Sequence, residues 1–102
     1  MNDRISKIQS FLKDNAKDCF LNHALALEYI KIGKDEEAKK HFLLNIETDA
    51  NYVATYYHLG KLLEREGLYK EAVAIYEHGM EKAKLAKDMH TYNELQSAAE
   101  DI

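Results

Sequence analysis

Histidine and cysteine are the side chains in this sequence that could perform metal or nucleophilic chemistry. Three of the five histidines, His23, His58 and His90, recur at similar intervals, and imidazoles brought together can bind zinc. On repeating helices, however, these three differ in phase by a residue or two, and each residue rotates a side chain by about 100°. Cys19 is the single cysteine, and no HExxH zinc pattern accompanies it. We therefore predict surface histidines, no metal site, no cofactor and no enzymatic activity.

Charged side chains offer a second kind of chemistry, the binding of a peptide of opposite charge. Lys61 and Arg65 are four residues apart, so on a helix they lie on one face and could bind an acidic peptide. They could equally pair with Glu64 or Glu66, and the spacing leaves both alternatives open.

The composition narrows the class of protein. The chain has 102 residues, a formal charge of −4 and no proline, and its apolar fraction of 46% is that of a folded domain. An acidic chain without a basic block is a poor nucleic-acid binder. No apolar run approaches the roughly 20 residues that span a bilayer. The polar N-terminus lacks the apolar centre of a secretory signal, so we expect a cytoplasmic protein that binds neither nucleic acid nor membrane.

The elements that would position these side chains repeat along the chain. When the sequence is shifted by 34 residues, glycine falls on glycine, alanine on alanine and aromatic on aromatic. The coincident pairs are Leu25 with Leu59, Gly33 with Gly67, Glu37 with Glu71, Ala38 with Ala72, and Phe42 with Tyr76. Apolar residues within each copy recur at helical spacing, so each copy is predicted to form two helices. Neither copy can bury its apolar side alone, and we expect the copies to stack.

Small residues predict how the two helices of a copy are joined. Gly33 and Gly67 are expected to follow the first helices at positive φ, where glycine has no Cβ to clash. Ala38 and Ala72 are expected at the crossing of the two helices, where a small side chain lets the backbones approach. Asp35 is predicted to cap the second helix of the first copy.

The two ends of the chain are predicted to add one helix each. The first covers residues 3–14 and is followed by a loop at Asn15–Asp18. The second helix of the second copy is expected to continue to about Lys87, because no helix breaker precedes it. Asp88 is then a predicted N-cap for a last helix over residues 89–101. The fold class is therefore all-α, with six helices.

The paired residues and their period resemble the tetratricopeptide repeat family. The resemblance implies antiparallel helical hairpins in a short right-handed solenoid, forming one domain over residues 1–102. Its parts would be an N-terminal half-repeat helix (1–18), a first repeat (19–52), a second repeat (53–86) and a C-terminal capping helix (87–102). Two residues depart from the family pattern: Gly79 stands where alanine is expected, and Asn45 replaces a small apolar residue.

The resemblance also implies a binding site and a function. In this family the first helices of successive repeats line a concave groove that holds an extended peptide or a partner helix. The matching positions here are Phe20, His23, Leu27, Ile30, Lys31, Tyr57, Lys61, Glu64 and Arg65. We therefore expect a protein–protein interaction scaffold for a protein or peptide partner.

Three apolar residues of this set leave alternatives open. Phe20, Leu27 and Ile30 are not explained by packing inside a repeat, so they either bind a partner, pack on the chain's own terminal helices or form a homodimer. The alternative function is accordingly a structural homo-oligomer. A subclass of the family grips chaperone C-termini with asparagine and a basic residue, but Leu27 and His23 occupy those positions here.

Overall fold

The computed structural model describes residues 3–102, which form six α-helices and no strand. The helices are α1 (Asp3–Leu12), α2 (Cys19–Lys31), α3 (Asp35–Thr48), α4 (Ala54–Arg65), α5 (Tyr69–Leu85) and α6 (Met89–Glu100). They belong to two compact units, one ending at Asp49 and the other covering Ala50–Ile102. The prediction of an all-α, six-helix chain is thus confirmed.

In the first unit, α2 and α3 form a hairpin around small and aromatic residues. Ala26, Ala38 and Phe42 are fully buried, and their close fit follows from the absence of bulky side chains where the helices cross. Gly33 lies in the turn at φ 78°, as its position after the first helix predicted. Asp18 caps α2, because its carboxylate accepts a hydrogen bond from the Leu21 amide at 2.9 Å.

Helix α1 packs against α2 through both apolar and charged contacts. Ile5 and Ile8 are its buried residues. The Arg4 guanidinium lies 3.4 Å from the carboxylate of Glu28 on α2, and the Glu28 side chain is only 6% exposed. Gln9 donates a hydrogen bond to the Tyr29 hydroxyl at 3.1 Å. The orientation of α1 is therefore set by polar partners as well as by its apolar stripe.

In the second unit, two glycines let aromatic rings lie directly against helix backbone. A Cβ at Gly60 of α4 would overlap the ring of Tyr76 on α5. A Cβ at Gly79 of α5 would lie 2.6 Å from Cβ of Tyr56 and 2.9 Å from Cδ1 of Leu95. These contacts explain why glycine is present in mid-helix, where it would otherwise destabilise by about 1 kcal/mol relative to alanine.

Helix α6 closes the second unit. It contacts both α4 and α5, and its buried residues are Leu95 and Ala98. Asp88 is its N-cap, accepting a hydrogen bond from the Thr91 amide at 3.1 Å, as predicted. Two apolar residues at the ends of this segment, Met89 and Ile102, are about half exposed.

The structure corrects one cap and moves several helix ends. Asp35 is the first residue of α3 and not its N-cap; Lys34 occupies that position and makes no side-chain cap. The three acidic residues that begin α3 instead face the positive end of the helix dipole. Helix α1 ends at Leu12, two residues early, and α5 ends at Leu85, because Lys87 has a positive φ of 59°.

Candidate functional site

Three side chains on one face of α4 form an ordered and partly exposed array. Tyr57, Lys61 and Glu64 are spaced by about one helical turn, so they share a face. The Lys61 ammonium lies 3.6 Å from a Glu64 carboxylate oxygen and 5.5 Å from the centre of the Tyr57 ring. The two charged side chains are 39% and 23% exposed, respectively. Lys61 therefore pairs with Glu64 in the protein without a ligand.

Tyr76, a buried residue of α5, contacts two side chains of this array. The Tyr76 hydroxyl donates a hydrogen bond to the Glu64 carboxylate, and the Tyr76 ring lies 6.5 Å from the Tyr57 ring. Burial, followed by the contact with Glu64, raises the pKa of Tyr76 well above its usual value. The phenol therefore stays protonated and keeps donating to Glu64. Gly60 has no Cβ, so the Tyr76 ring can lie against the backbone of α4. From this position the Tyr76 hydroxyl orients the Glu64 carboxylate.

The chemistry available to this array is recognition. Lys61 and the Tyr57 ring can contact an anionic or aromatic group, and Glu64 can accept a hydrogen bond from a peptide amide. Lys61 already has a counter-charge, so a ligand gains less from its ammonium than from an unpaired one. Arg65, the last residue of α4, lies exposed beyond the array.

The predicted residues of α2 fall into two groups in the first unit. Phe20 is 69% exposed, whereas Leu27 and Ile30 are partly buried. Lys31 is exposed and pairs with Glu28 at 3.1 Å. The fifth residue, His23, turns toward α3: its ring centre lies 5.6 Å from that of Phe42, in a tilted contact. Phe20 is therefore the most available apolar side chain of the α2 set.

Sequence reasoning named Glu64 but missed the buried carboxylate of Glu28 and the hydrogen bond that joins Tyr76 to Glu64. Glu28 lies 34 residues before Leu62, a fully buried leucine, so the period predicts an apolar residue there. A glutamate at a core position is itself a signal that a cationic partner is needed, and Arg4 and Lys31 supply it. The link from Tyr76 to Glu64 had no signal in the spacing, because it joins two helices.

The histidines do not form a metal centre within residues 3–102, where no three potential ligands lie close enough to hold an ion. The His41 Nδ1–H donates a hydrogen bond to the amide oxygen of Asn22 at 2.8 Å, and the His41 ring stacks on Tyr29. His58 makes an edge contact with Tyr57. Burial lowers the pKa of both His41 and His58, which keeps these rings neutral near pH 7.

Cys19 is poorly suited to nucleophilic chemistry. Partial burial is the largest effect that raises the pKa of its thiol, and the carboxylates of Asp49 and Asp18 raise it further. Reactive cysteines require the opposite environment, one that stabilises the thiolate.

A cleft of about 550 Å³ at the start of α3 is lined by Tyr29, Lys34 and the acidic residues Asp35, Glu36 and Glu37. Its carboxylates already occupy the positive end of the helix, so it offers little to an anionic ligand. In the part of the chain that the structure describes, no helix is both long and apolar enough to cross a bilayer.

Helical hairpins that close over small residues, repeated along one chain, define the class of helical repeat proteins. The tetratricopeptide repeat model matches residues 21–52 and 53–84, and the chain belongs to the tetratricopeptide repeat family. Repeats of this family in general mediate protein–protein interaction, and their fold is typically a non-catalytic scaffold.

Solved structures support the same assignment. The solution NMR structure of a tetratricopeptide repeat domain protein from Salinibacter ruber is 39% identical, with a TM-score of 0.80 over 82% of this chain and 85% of that one. A crystal structure of a tetratricopeptide repeat domain protein from the same organism is 40% identical, with a TM-score of 0.77 over 80% and 92% of the two chains. No curated protein matches the chain.

Proposed function

We propose that this protein is an interaction module that binds a protein or peptide partner through the first helices of its repeats. The contact residues would be those predicted from the sequence: on α2, Phe20, His23, Leu27, Ile30 and Lys31, and on α4, Tyr57, Lys61, Glu64 and Arg65. The observation that carries the proposal is the array on α4, in which Tyr57, Lys61 and Glu64 keep one geometry while remaining accessible.

Physical reasons favour binding at this array. Aromatic and basic side chains are common anchors of interfaces. A side chain already held in place loses less conformational entropy on binding, and Tyr76 and Lys61 hold Glu64 in this way. The partner we expect therefore contributes a backbone amide or hydroxyl to Glu64 and a flat or apolar side chain to Tyr57.

Photo-crosslinking in a lysate of the source cells tests the proposal. A benzophenone amino acid replaces Tyr57 in one variant and Ala74, an exposed residue of α5, in the control. We expect a discrete adduct from position 57 alone, which weakens when Lys61→Ala is added. The same adducts from both positions, or none from position 57, would contradict binding at this face.

Homo-oligomerisation is the second candidate, and the exposure of Phe20 favours it. The Phe20 side chain is 69% exposed, so its apolar surface is available to contact a second copy. An adduct at twice the chain mass of 11.8 kDa would identify a second copy as the partner. Light scattering then tests whether Phe20→Ser converts that species to a monomer; a parent chain that is already monomeric at high concentration removes this candidate.

A further inference from the structure

A second surface of the Ala50–Ile102 unit has the features of a docking groove. Two shallow cavities, of about 280 and 270 Å³, lie along α5 and share Val73 as a wall. One is bordered by Tyr69, Lys70 and Ile102, and the other by Glu77, Met80, Gln96, Ala99 and Glu100. Because both are bordered by Val73, the two cavities are adjacent, and we call the surface that they form together the α5–α6 groove. It uses none of the residues assigned above to partner binding.

The shape of the groove fits a helix. Along α5 its walls are Tyr69, Val73, Glu77 and Met80, which recur at one-turn spacing and so line a single face. From Tyr69 to Met80 this face is about 16 Å long, at 1.5 Å per residue, or three turns of a partner helix. In the same unit, α6 packs against the neighbouring helices α4 and α5. A partner helix in the groove would pack against α5 and α6 in the same way.

The polarity of the groove changes along its length. At the end near Tyr69 and Ile102 its surface is almost wholly apolar, and these two residues are 56% and 45% exposed. At the other end two acidic residues, Glu77 of α5 and Glu100 of α6, border the cavity. A ligand that matches both ends carries apolar side chains at one end and positive charge at the other.

A third carboxylate strengthens the requirement for a cation. Glu81 is exposed and follows Glu77 by four residues on α5, and like charges at this spacing repel each other. Among residues 3–102, no ion pair joins Glu77, Glu81 or Glu100 to a lysine or arginine. A basic ligand would pair with these carboxylates and relieve this repulsion.

We propose that the α5–α6 groove binds an amphipathic helix of a partner protein. The apolar side of that helix packs on Tyr69, Val73 and Ile102, and a lysine or arginine about two turns away meets Glu77 and Glu100. Helices bound in grooves of this kind are anchored by apolar side chains about one turn apart. The protein would then contact partners on two separate surfaces, the first-helix faces and this one.

The probe that tests the proposal is a designed helical peptide of 15 residues. It carries leucines at one-turn spacing and three lysines beside the carboxyl-terminal leucine; its control has glutamates in place of the lysines. Fluorescence anisotropy measures the affinity, and amide chemical shifts of the full chain map the contact. We expect the lysine peptide to bind, with shifts concentrated at Val73, Gln96 and Ala99.

Variants of the protein separate the apolar and charged contributions. Tyr69→Ala should weaken binding about ten-fold or more, since a buried aromatic anchor is lost. Glu77→Gln and Glu100→Gln should each weaken it about two- to five-fold, the size of an exposed ion pair. Glu71→Gln is the matched control, because Glu71 is exposed on α5 but does not border the groove. Circular dichroism confirms that each variant remains folded.

Several results would overturn the proposal. The glutamate peptide could bind as tightly as the lysine peptide, or the lysine peptide could fail to bind at 1 mM, about the weakest affinity that a specific contact would give. Shifts centred on Tyr57 and Lys61 would assign the peptide to the first-helix face. Shifts at Val73 and Ala99 that grow with protein concentration alone would make a second copy of this chain the occupant.

Discussion

Replacing Gly60 with alanine tests whether helix crossing in the Ala50–Ile102 unit depends on the absence of one methyl group. Gly60 lies within α4, where alanine is favoured over glycine by about 1 kcal/mol through helix propensity alone. Its Cβ, however, would overlap ring carbons of Tyr76. That ring is fully buried and is held at its hydroxyl by Glu64, so it cannot move aside without losing a hydrogen bond.

The magnitude follows from the two opposing contributions. Overpacking a core by a methyl group costs about 1–3 kcal/mol, to which the strained hydrogen bond adds. The free-energy cost of the overlap therefore exceeds the gain in helix propensity. We expect Gly60→Ala to lower the free energy of unfolding by about 1–3 kcal/mol. For a domain of this size each kcal/mol lowers the Tm by about 4–8 °C.

Urea and thermal unfolding followed by circular dichroism measure the change. Ala74→Gly, at an exposed position of α5, reports helix propensity without any packing change and should cost about 1 kcal/mol. In a Tyr76→Leu background the overlap is relieved, so the cost of Gly60→Ala should shrink. A Gly60→Ala protein that is as stable as the parent, or more so, would refute the steric reasoning.

Three further changes probe other parts of the two units. Ala72→Leu should destabilise by about 1–3 kcal/mol in urea unfolding, because Ala72 is fully buried and has no room for a larger side chain. Gly67→Val should cost more than Gly67→Asn, since φ is 79° and asparagine tolerates this region better than a β-branched residue; equal melting temperatures would contradict this. Burial lowers the pKa of His58 and His41 in the folded state. The full stability of the fold is therefore present above the unfolded pKa of 6.5. Part of it is lost as the pH falls through the folded pKa values, because the buried rings must then become charged. His58→Gln should flatten that loss in pH-dependent unfolding, and NMR titration should show both rings protonating below pH 6.5.

How far the sequence predicts the fold depends on whether a feature is local. Gly33 and Gly67 mark turns that require positive φ, and this requirement is met within a few residues of chain. The same holds for Asp88, which caps the helix that begins next to it. Asp35 shows the limit of this reasoning: an acidic residue suits an N-cap and a first turn equally well, and the structure places it in the first turn.

Features that join two helices were harder to predict. The resemblance to the repeat family named Tyr57, Lys61 and Glu64 as groove residues but could not show that Tyr76 reaches Glu64 from α5. Likewise, the period predicts an apolar residue at position 28, whereas Glu28 is buried beside Arg4 of α1. Phe20 was singled out as apolar without an internal role, and its exposure leaves it available for contact with other molecules.

The contacts of Gly79 have a consequence for engineering this chain. Substitution toward the residue most common in a family usually raises stability. At this position the common residue is alanine, yet its methyl group would meet Tyr56 on one side and Leu95 on the other. A consensus design applied residue by residue would therefore lose stability here. Since the nearest atom is the Cβ of Tyr56, which every residue but glycine has, alanine at position 79 requires α4 and α5 to move apart and not only a smaller neighbouring side chain.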